Sequence, residues 1–120
     1  MYEIIYTPKF EKDFEFYYKK RKYKHIADDI KDIISNLEKG NLVGDELEDI
    51  ASKIPSTNKT FKVRAANSDM KVGKSKGYRL IYYAISNDNQ IYLLTIYAKK
   101  DNNNIASDND IVQIIKEYCI

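Results

Sequence analysis

Lys74, Lys76 and Arg79 lie within six positions of one another in VGKSKGYRLIYY (72–83), beside Gly73 and Gly77. Cations at that density offer one kind of chemistry, the binding of anionic oxygens and the stabilisation of negative charge that develops on them. Further cations stand nearby. Lys62 and Arg64 alternate with apolar residues in TFKVRAA, Lys71 precedes the glycines, and Tyr97, Lys99 and Lys100 end the segment IYLLTIYAKK.

The net charge of +2 hides this clustering. Between Lys59 and Lys100 nine cations face only Asp69 and Asp88, a local balance of +7, while the remaining chain carries −5. Such a split fits a basic working surface for a polyanionic partner, and it equally fits a solvated basic face with no partner. Cations that track phosphates, together with tyrosines or guanidinium planes that stack on bases, would suit single-stranded RNA. Tyr82, Tyr83 and Tyr92 are expected in the core or in cross-strand packing, whereas Tyr97 is placed equally well to pack or to stack.

Other chemistries have little to work with. The glycine-flanked GKSKG matches only the second half of a phosphate-binding P-loop; Ser68 holds the place of its first glycine, and a strand follows where a helix is needed. One histidine and one cysteine cannot build a His/Cys zinc cluster, and no metal or cofactor is expected. Cys119 reads as incidental, and His25 points away from its helix's apolar stripe and should be exposed.

The elements that must position these residues can be read from periodicity. At 120 residues the chain is expected to form a single domain, 1–120, with 43% apolar and 32% charged residues. No apolar run nears the roughly 18 residues of a membrane span, and Met1 leads into YEIIY without a signal-peptide pattern, so the cytoplasm is the expected compartment. Tyr2 to Tyr6 reads as a strand. Thr7-Pro8 then caps a helix bearing Phe10, Phe14, Tyr17 and Tyr18. Tyr23, Ile26, Ile30, Ile33, Ile34 and Leu37 form a second stripe, ended by Gly40. At about 100° per residue the two stripes point in nearly opposite directions, so a helical hairpin turning at Lys19 to Lys22 is predicted in place of one long helix.

Asn41 to Asn58 reads as a loop with a helical turn near Glu46 to Ile50. TFKVRAA is a half-buried strand; GYRLIYYAIS and QIYLLTIYA, joined by NDN, form a hairpin of central strands. Ser107 caps a last helix with Asp110 three residues on and Ile111, Ile114, Ile115 and Tyr118 on one face. The fold class is therefore α+β, in the order β-α-α-β-β-β-α: a small, mostly antiparallel sheet with the helical hairpin on one face, and a C-terminal helix. With the helices packed on one face and the opposite face open, the cations can line one groove.

Over Lys62 to Lys99 the chain resembles the RelE/ParE superfamily of bacterial type II toxins, in particular its HigB-like branch. The motifs are K-x-R at Lys62 and Arg64, a stretch around Lys74 and Arg79 close to the pattern G-K-S-G-G-x-R-x-I-Y, and Y-x-K at Tyr97 and Lys99. The resemblance implies a RelE-like fold and a ribosome-dependent endoribonuclease that cuts translated mRNA. It further implies neutralisation by a cognate antitoxin, a helix-turn-helix protein in the HigB-like branch. The implied catalytic positions are Arg64, Lys74, Arg79, Tyr97 and Lys99, with Lys62, Lys71, Lys76 and Lys100 contacting RNA or ribosome. Two positions depart from the pattern. Lys76 replaces a second glycine, which ranks Lys74 above it, and Lys100-Asp101 stand where relatives often place a glutamate.

The reaction so implied is attack of an RNA 2′-OH on the adjacent phosphodiester. Arg64 and Arg79 would stabilise the phosphoryl oxygens, while Lys74, Lys99 and Tyr97 are the candidates to move protons. Mutual repulsion in a cation cluster is expected to lower the pKa of each of these three. A gyrase-binding toxin like ParE relatives, or a non-catalytic basic RNA-binding module, are the alternatives.

Overall fold

The alternating and all-apolar segments assemble into one five-stranded sheet in a computed structural model that describes residues 1–101 and 104–120. Its strands are β1 (Glu3–Tyr6), β2 (Asp45–Glu46), β3 (Asn58–Ala65), β4 (Tyr78–Ile85) and β5 (Gln90–Ala98), in the spatial order β1-β5-β4-β3-β2. β1 runs parallel to β5 and every other pair is antiparallel. β4 lies at the centre and is buried along nearly its whole length, as its lack of polar alternation requires. The fold class and element order are those expected. The addition is β2, two residues at the sheet edge where a helical turn was expected; that turn follows it as a 3₁₀ segment, Glu48–Lys53.

The helical hairpin forms as the stripe phases demand. α1 (Pro8–Glu15) starts at Thr7, whose hydroxyl accepts from the Phe10 amide, and continues through a π-helical turn, Phe16–Lys20. The chain reverses through Lys22, in the left-handed region at φ 60°, and enters α2 (Ile26–Glu38). α2 buries Ile26, Ile30, Ile33 and Leu37. Tyr17 and Tyr23 stack with ring centres 6.0 Å apart, and both meet Tyr78 of β4 edge-on. α3 (Asp108–Tyr118) begins in a reciprocal Ser107/Asp110 capping box and buries Ile111, Val112, Ile114 and Ile115.

α1 has a second duty that periodicity did not announce. β1 pairs with β5 only as far as Leu93, which leaves the far half of β5 without a strand neighbour on that side. α1 covers it: the Thr7 hydroxyl donates to the Leu93 carbonyl at 2.7 Å, Thr95 donates to Asp13 at 2.6 Å, and the Ala98 amide donates to the Tyr17 hydroxyl at 2.9 Å. An exposed sheet edge is closed by side chains of a helix.

The register sorts the two faces. Phe61, Val63, Ala65, Tyr78, Leu80 and Tyr82 share the face that meets Tyr17 and Tyr23. Their alternates share the other, where Cys119, just beyond α3, lies close to Tyr83 and Tyr92. The C-terminal helix thus packs on the face opposite the helical hairpin, the face that also carries Arg64 and Arg79, which corrects the expectation of helices on one face only with the other left open. A β-bulge at Leu94, between the pairs Ile81–Thr95 and Tyr82–Leu93, keeps both halves of β5 in phase with these faces. Among the described residues, no helix is long and apolar enough to cross a membrane.

Candidate functional site

Arg64, Arg79 and Tyr97 stand in register on β3, β4 and β5, so three adjacent strands contribute one residue each to a single row. Neighbouring strands lie about 4.8 Å apart and opposed residues point to the same face, so the row spans roughly 10 Å. The next row on that face holds Lys62, Ile81 and Thr95, with Asp45 of β2 opposite Lys62. The alternation of TFKVRAA holds as read: Phe61, Val63 and Ala65 are buried, Lys62 is half-buried and Arg64 is exposed.

The GKSKG segment forms a 3₁₀ turn, Lys74–Lys76, whose two lysines are exposed, just before β4. Its flanking glycines differ. A Cβ on Gly73 would meet nothing within 4 Å, so the turn does not need glycine there. A Cβ on Gly77 would come within 2.1 Å of the Ala65 carbonyl oxygen and 2.9 Å of the Asn67 nitrogen. Gly77 is therefore dictated by the approach of β4 to the end of β3, not by a positive φ.

Arg79 is where structure and sequence expectation part. Its side chain is only 8% exposed, and it does not reach outward as a phosphate ligand would. One guanidinium nitrogen donates to the carbonyls of Lys74 at 3.0 Å and Tyr78 at 3.2 Å, and the other to that of Ser75 at 3.0 Å. Lys99 reaches the same turn from the end of β5, its Nζ donating to the Ser75 carbonyl at 3.2 Å. The Lys99 amide donates to the Gly77 carbonyl, so backbone and side chain tie β5 to the turn.

The preceding loop is anchored to the start of α2. Asn67 caps the 3₁₀ turn Ser68–Met70, and Asp29 accepts from both the amide and the hydroxyl of Ser68. His25 is exposed as expected, but it has a partner: its Nδ1 lies 2.8 Å from Asp69, which also accepts from the His25 amide. This pair holds the His25 pKa above its usual value and lowers that of Asp69. One of the two acids in the basic segment is therefore directed to α2, away from the lysines. Lys71, in the left-handed region at φ 56°, is exposed on the same loop.

Burial rearranges the expected electrostatics. The Arg79 pKa is lowered by burial and by Arg64 nearby, against the opposing influence of Tyr97. Tyr97 is 3% exposed, and burial raises its pKa more than Arg79 lowers it. The lowered tyrosine pKa expected from the cation cluster is thus corrected: Tyr97 is a protonated phenol at neutral pH, and its buried ring offers no open platform for a base. Tyr82 stacks on Phe61 and donates to the Val43 carbonyl, and Tyr83 accepts from Asn58, so these tyrosines pack as expected. Burial also pushes the Cys119 thiol up to about 12, which makes it a poor nucleophile.

Arg64, Lys74 and Lys99 remain as exposed cations beside the row, with Lys62 half-buried behind them. Among the described residues no carboxylate forms a salt bridge to any of the four. Lys71, Lys76 and Lys100 are exposed on the loop, the turn and the strand end. Asp101 is joined to Arg21 at 2.8 Å, so it serves the hairpin turn and not the row. Neither this pair nor His25–Asp69 nor the Arg79 bonds has a sequence signal, because the partners are far apart or are backbone atoms. A groove of about 810 Å³ lies elsewhere, between α1 and α2, lined by Phe10, Phe14, Ile30 and Ile34 among others. No group of three or more His, Cys, Asp or Glu residues suited to a metal ion occurs among the described residues. No protein-family model and no curated protein matches the chain.

Proposed function

We propose that the chain is a RelE/ParE-type toxin of the HigB-like branch, a ribosome-dependent endoribonuclease that cuts translated mRNA. The observation that carries this is the row Arg64–Arg79–Tyr97 across three strands, with the exposed, uncompensated Lys74 and Lys99 gathered at the neighbouring turn. A polyanion is the natural complement of such a surface. The K-x-R and Y-x-K motifs and the GKSKGYR stretch add the resemblance.

In the proposed reaction the RNA 2′-oxygen bonds to the adjacent phosphorus and the bond from phosphorus to the 5′-oxygen breaks. The products are a 2′,3′-cyclic phosphate and a free 5′-OH. Arg64, exposed and always charged, binds the phosphoryl oxygens as charge builds on them. Lys74 and Lys99 are the candidates to take the 2′ proton. Tyr97, which holds its phenolic proton at neutral pH and stands in the row beside Arg79, enters as the proton donor. Lys62, Lys71, Lys76 and Lys100 extend the contact to RNA or ribosome. A neutralising antitoxin with a helix-turn-helix, and a cytoplasmic site of action where ribosomes translate, belong to the same proposal.

The test is to add the purified chain to a translating extract and map new mRNA 5′ ends. Cuts within ribosome-occupied codons that vanish with Arg64→Ala support the proposal. Inhibited DNA supercoiling without cuts would identify a gyrase-binding toxin, and salt-sensitive RNA binding without cuts a plain binding module.

A further inference from the structure

We infer that Arg79 is a positioning residue that sets the place of Lys74 through the backbone of the turn, an inference that rests on the ribonuclease proposal above. Three features of Arg79 lead there. It is buried to 8% exposure, it has no carboxylate partner among the described residues, and both terminal nitrogens are committed to main-chain carbonyls. A guanidinium in that state has little left to offer a phosphate. What it does instead is bind two consecutive carbonyls, those of Lys74 and Ser75, one to each terminal nitrogen.

The turn needs such a hold. Lys74–Lys76 is three residues of 3₁₀ geometry; its own closing bonds, Lys76 amide to Gly73 carbonyl and Gly77 amide to Lys74 carbonyl, are long at 3.2 and 3.5 Å. Gly73 adds no packing, and both lysine side chains point into water. Lys99 supplies a second tether on the Ser75 carbonyl, but it is a single bond from an exposed amine. Arg79 is the buried, multidentate one. Its rigid fork is the part of the design that lysine cannot reproduce, because an ammonium is a point charge on a flexible stem and cannot span the same two carbonyls from this depth.

The role separates from direct phosphate binding by a conservative substitution. A phosphate ligand tolerates Arg79→Lys better than Arg79→Gln, since lysine also binds phosphate. A carbonyl clamp treats the two alike. Both variants should lower kcat for mRNA cleavage by about 100-fold, the scale expected of a catalytic group misplaced by an ångström, with little change in KM. Trypsin gives a readout that needs no RNA: cleavage after Lys74 and Lys76 should accelerate at least tenfold in both variants while the rest of the chain stays resistant, and Arg64→Gln should leave it unchanged. The parent chain supplies a measurement independent of whether the variants fold. Its Arg79 guanidinium NMR signals should exchange slowly and stay put when a short RNA is added, while those of Arg64 shift. Arg79→Lys cutting at the parent rate, or Arg79 signals moving with RNA, would overturn the positioning role while leaving the ribonuclease proposal intact. A parent chain that cuts no mRNA would remove that proposal, and the role with it, even if the tryptic result identifies Arg79 as a clamp.

Discussion

Gly77→Ala tests whether the two glycines of the basic turn have the different duties the structure gives them. The added methyl carbon would lie 2.1 Å from the Ala65 carbonyl oxygen and 3.0 Å from the Ala66 carbonyl carbon, both main-chain atoms that no rotamer change can move aside. Relief requires β3 and the start of β4 to separate by about 1 Å, a typical van der Waals deficit. The Ala65–Tyr78 pairing and the bond from the Lys99 amide to the Gly77 carbonyl would be strained or lost. Overpacking costs about 1–3 kcal/mol, and a lost backbone hydrogen bond adds about 1 kcal/mol. Reduced freedom of the unfolded chain returns about 0.4–1 kcal/mol. The balance is about 1–3.5 kcal/mol, or roughly 4–14 °C in Tm for a chain of this size. Gly73→Ala meets no atom at a negative φ and should leave Tm unchanged or raise it by a few degrees. Thermal unfolding followed by circular dichroism measures both. A Gly77→Ala variant within about 2 °C of the parent would refute the reasoning, as would a Gly73→Ala variant that melts earlier than Gly77→Ala.

Other consequences can be checked with similar means. Tyr17→Phe leaves the buried Ala98 amide without its 2.9 Å acceptor, which should cost about 1–3 kcal/mol in urea unfolding; an unchanged midpoint would mean the hydroxyl does not secure the β5 edge. Thr60→Val removes a buried hydroxyl that has no hydrogen-bond partner among the described residues, so the urea midpoint should rise by an amount equivalent to about 1 kcal/mol with m unchanged. For the His25–Asp69 pair the folded His25 pKa is raised above the unfolded one, so its contribution is present below the unfolded pKa, about 6.5, and disappears as pH rises through the folded value. A stability difference between the parent and His25→Gln should therefore be largest below about pH 6 and shrink as the pH rises through the raised folded value. An NMR titration of His25 should reach its midpoint at lower pH in Asp69→Asn, and an unmoved midpoint would contradict the pairing.

What the sequence made legible was whatever depends on periodicity. The alternation of Phe61 to Ala65, the unbroken apolar runs of β4 and β5, and the opposed stripes of Phe10–Tyr18 and Tyr23–Leu37 each have one packing solution, and the structure adopts it. The site was legible as a neighbourhood and not as geometry. Arg64 and Arg79 look equivalent as arginines beside strand residues, yet one is exposed and the other clamps three carbonyls. Carbonyl oxygens carry no residue identity, so no spacing rule can announce them as partners. Gly73 and Gly77 are likewise indistinguishable until the path of β3 is known, and Tyr97 becomes a buried phenol only once its strand is placed. β2 escaped notice because two residues are too few to show a period, and the bulge at Leu94 because Leu93, Leu94 and Thr95 are all buried and no in–out alternation marks the slip.

The measurement closest to the central claim is the map of mRNA 5′ ends in a translating extract, made with the parent chain and with Arg64→Ala. Arg64 is the exposed arginine of the row, so its loss should leave the fold and Tm intact and reduce cleavage by about 100-fold or more, the scale of removing one preorganised charge from a developing anion. New 5′ ends inside ribosome-occupied codons with the parent, nearly absent with the variant, are the predicted result. Equal cutting by both, or none by either, would contradict it.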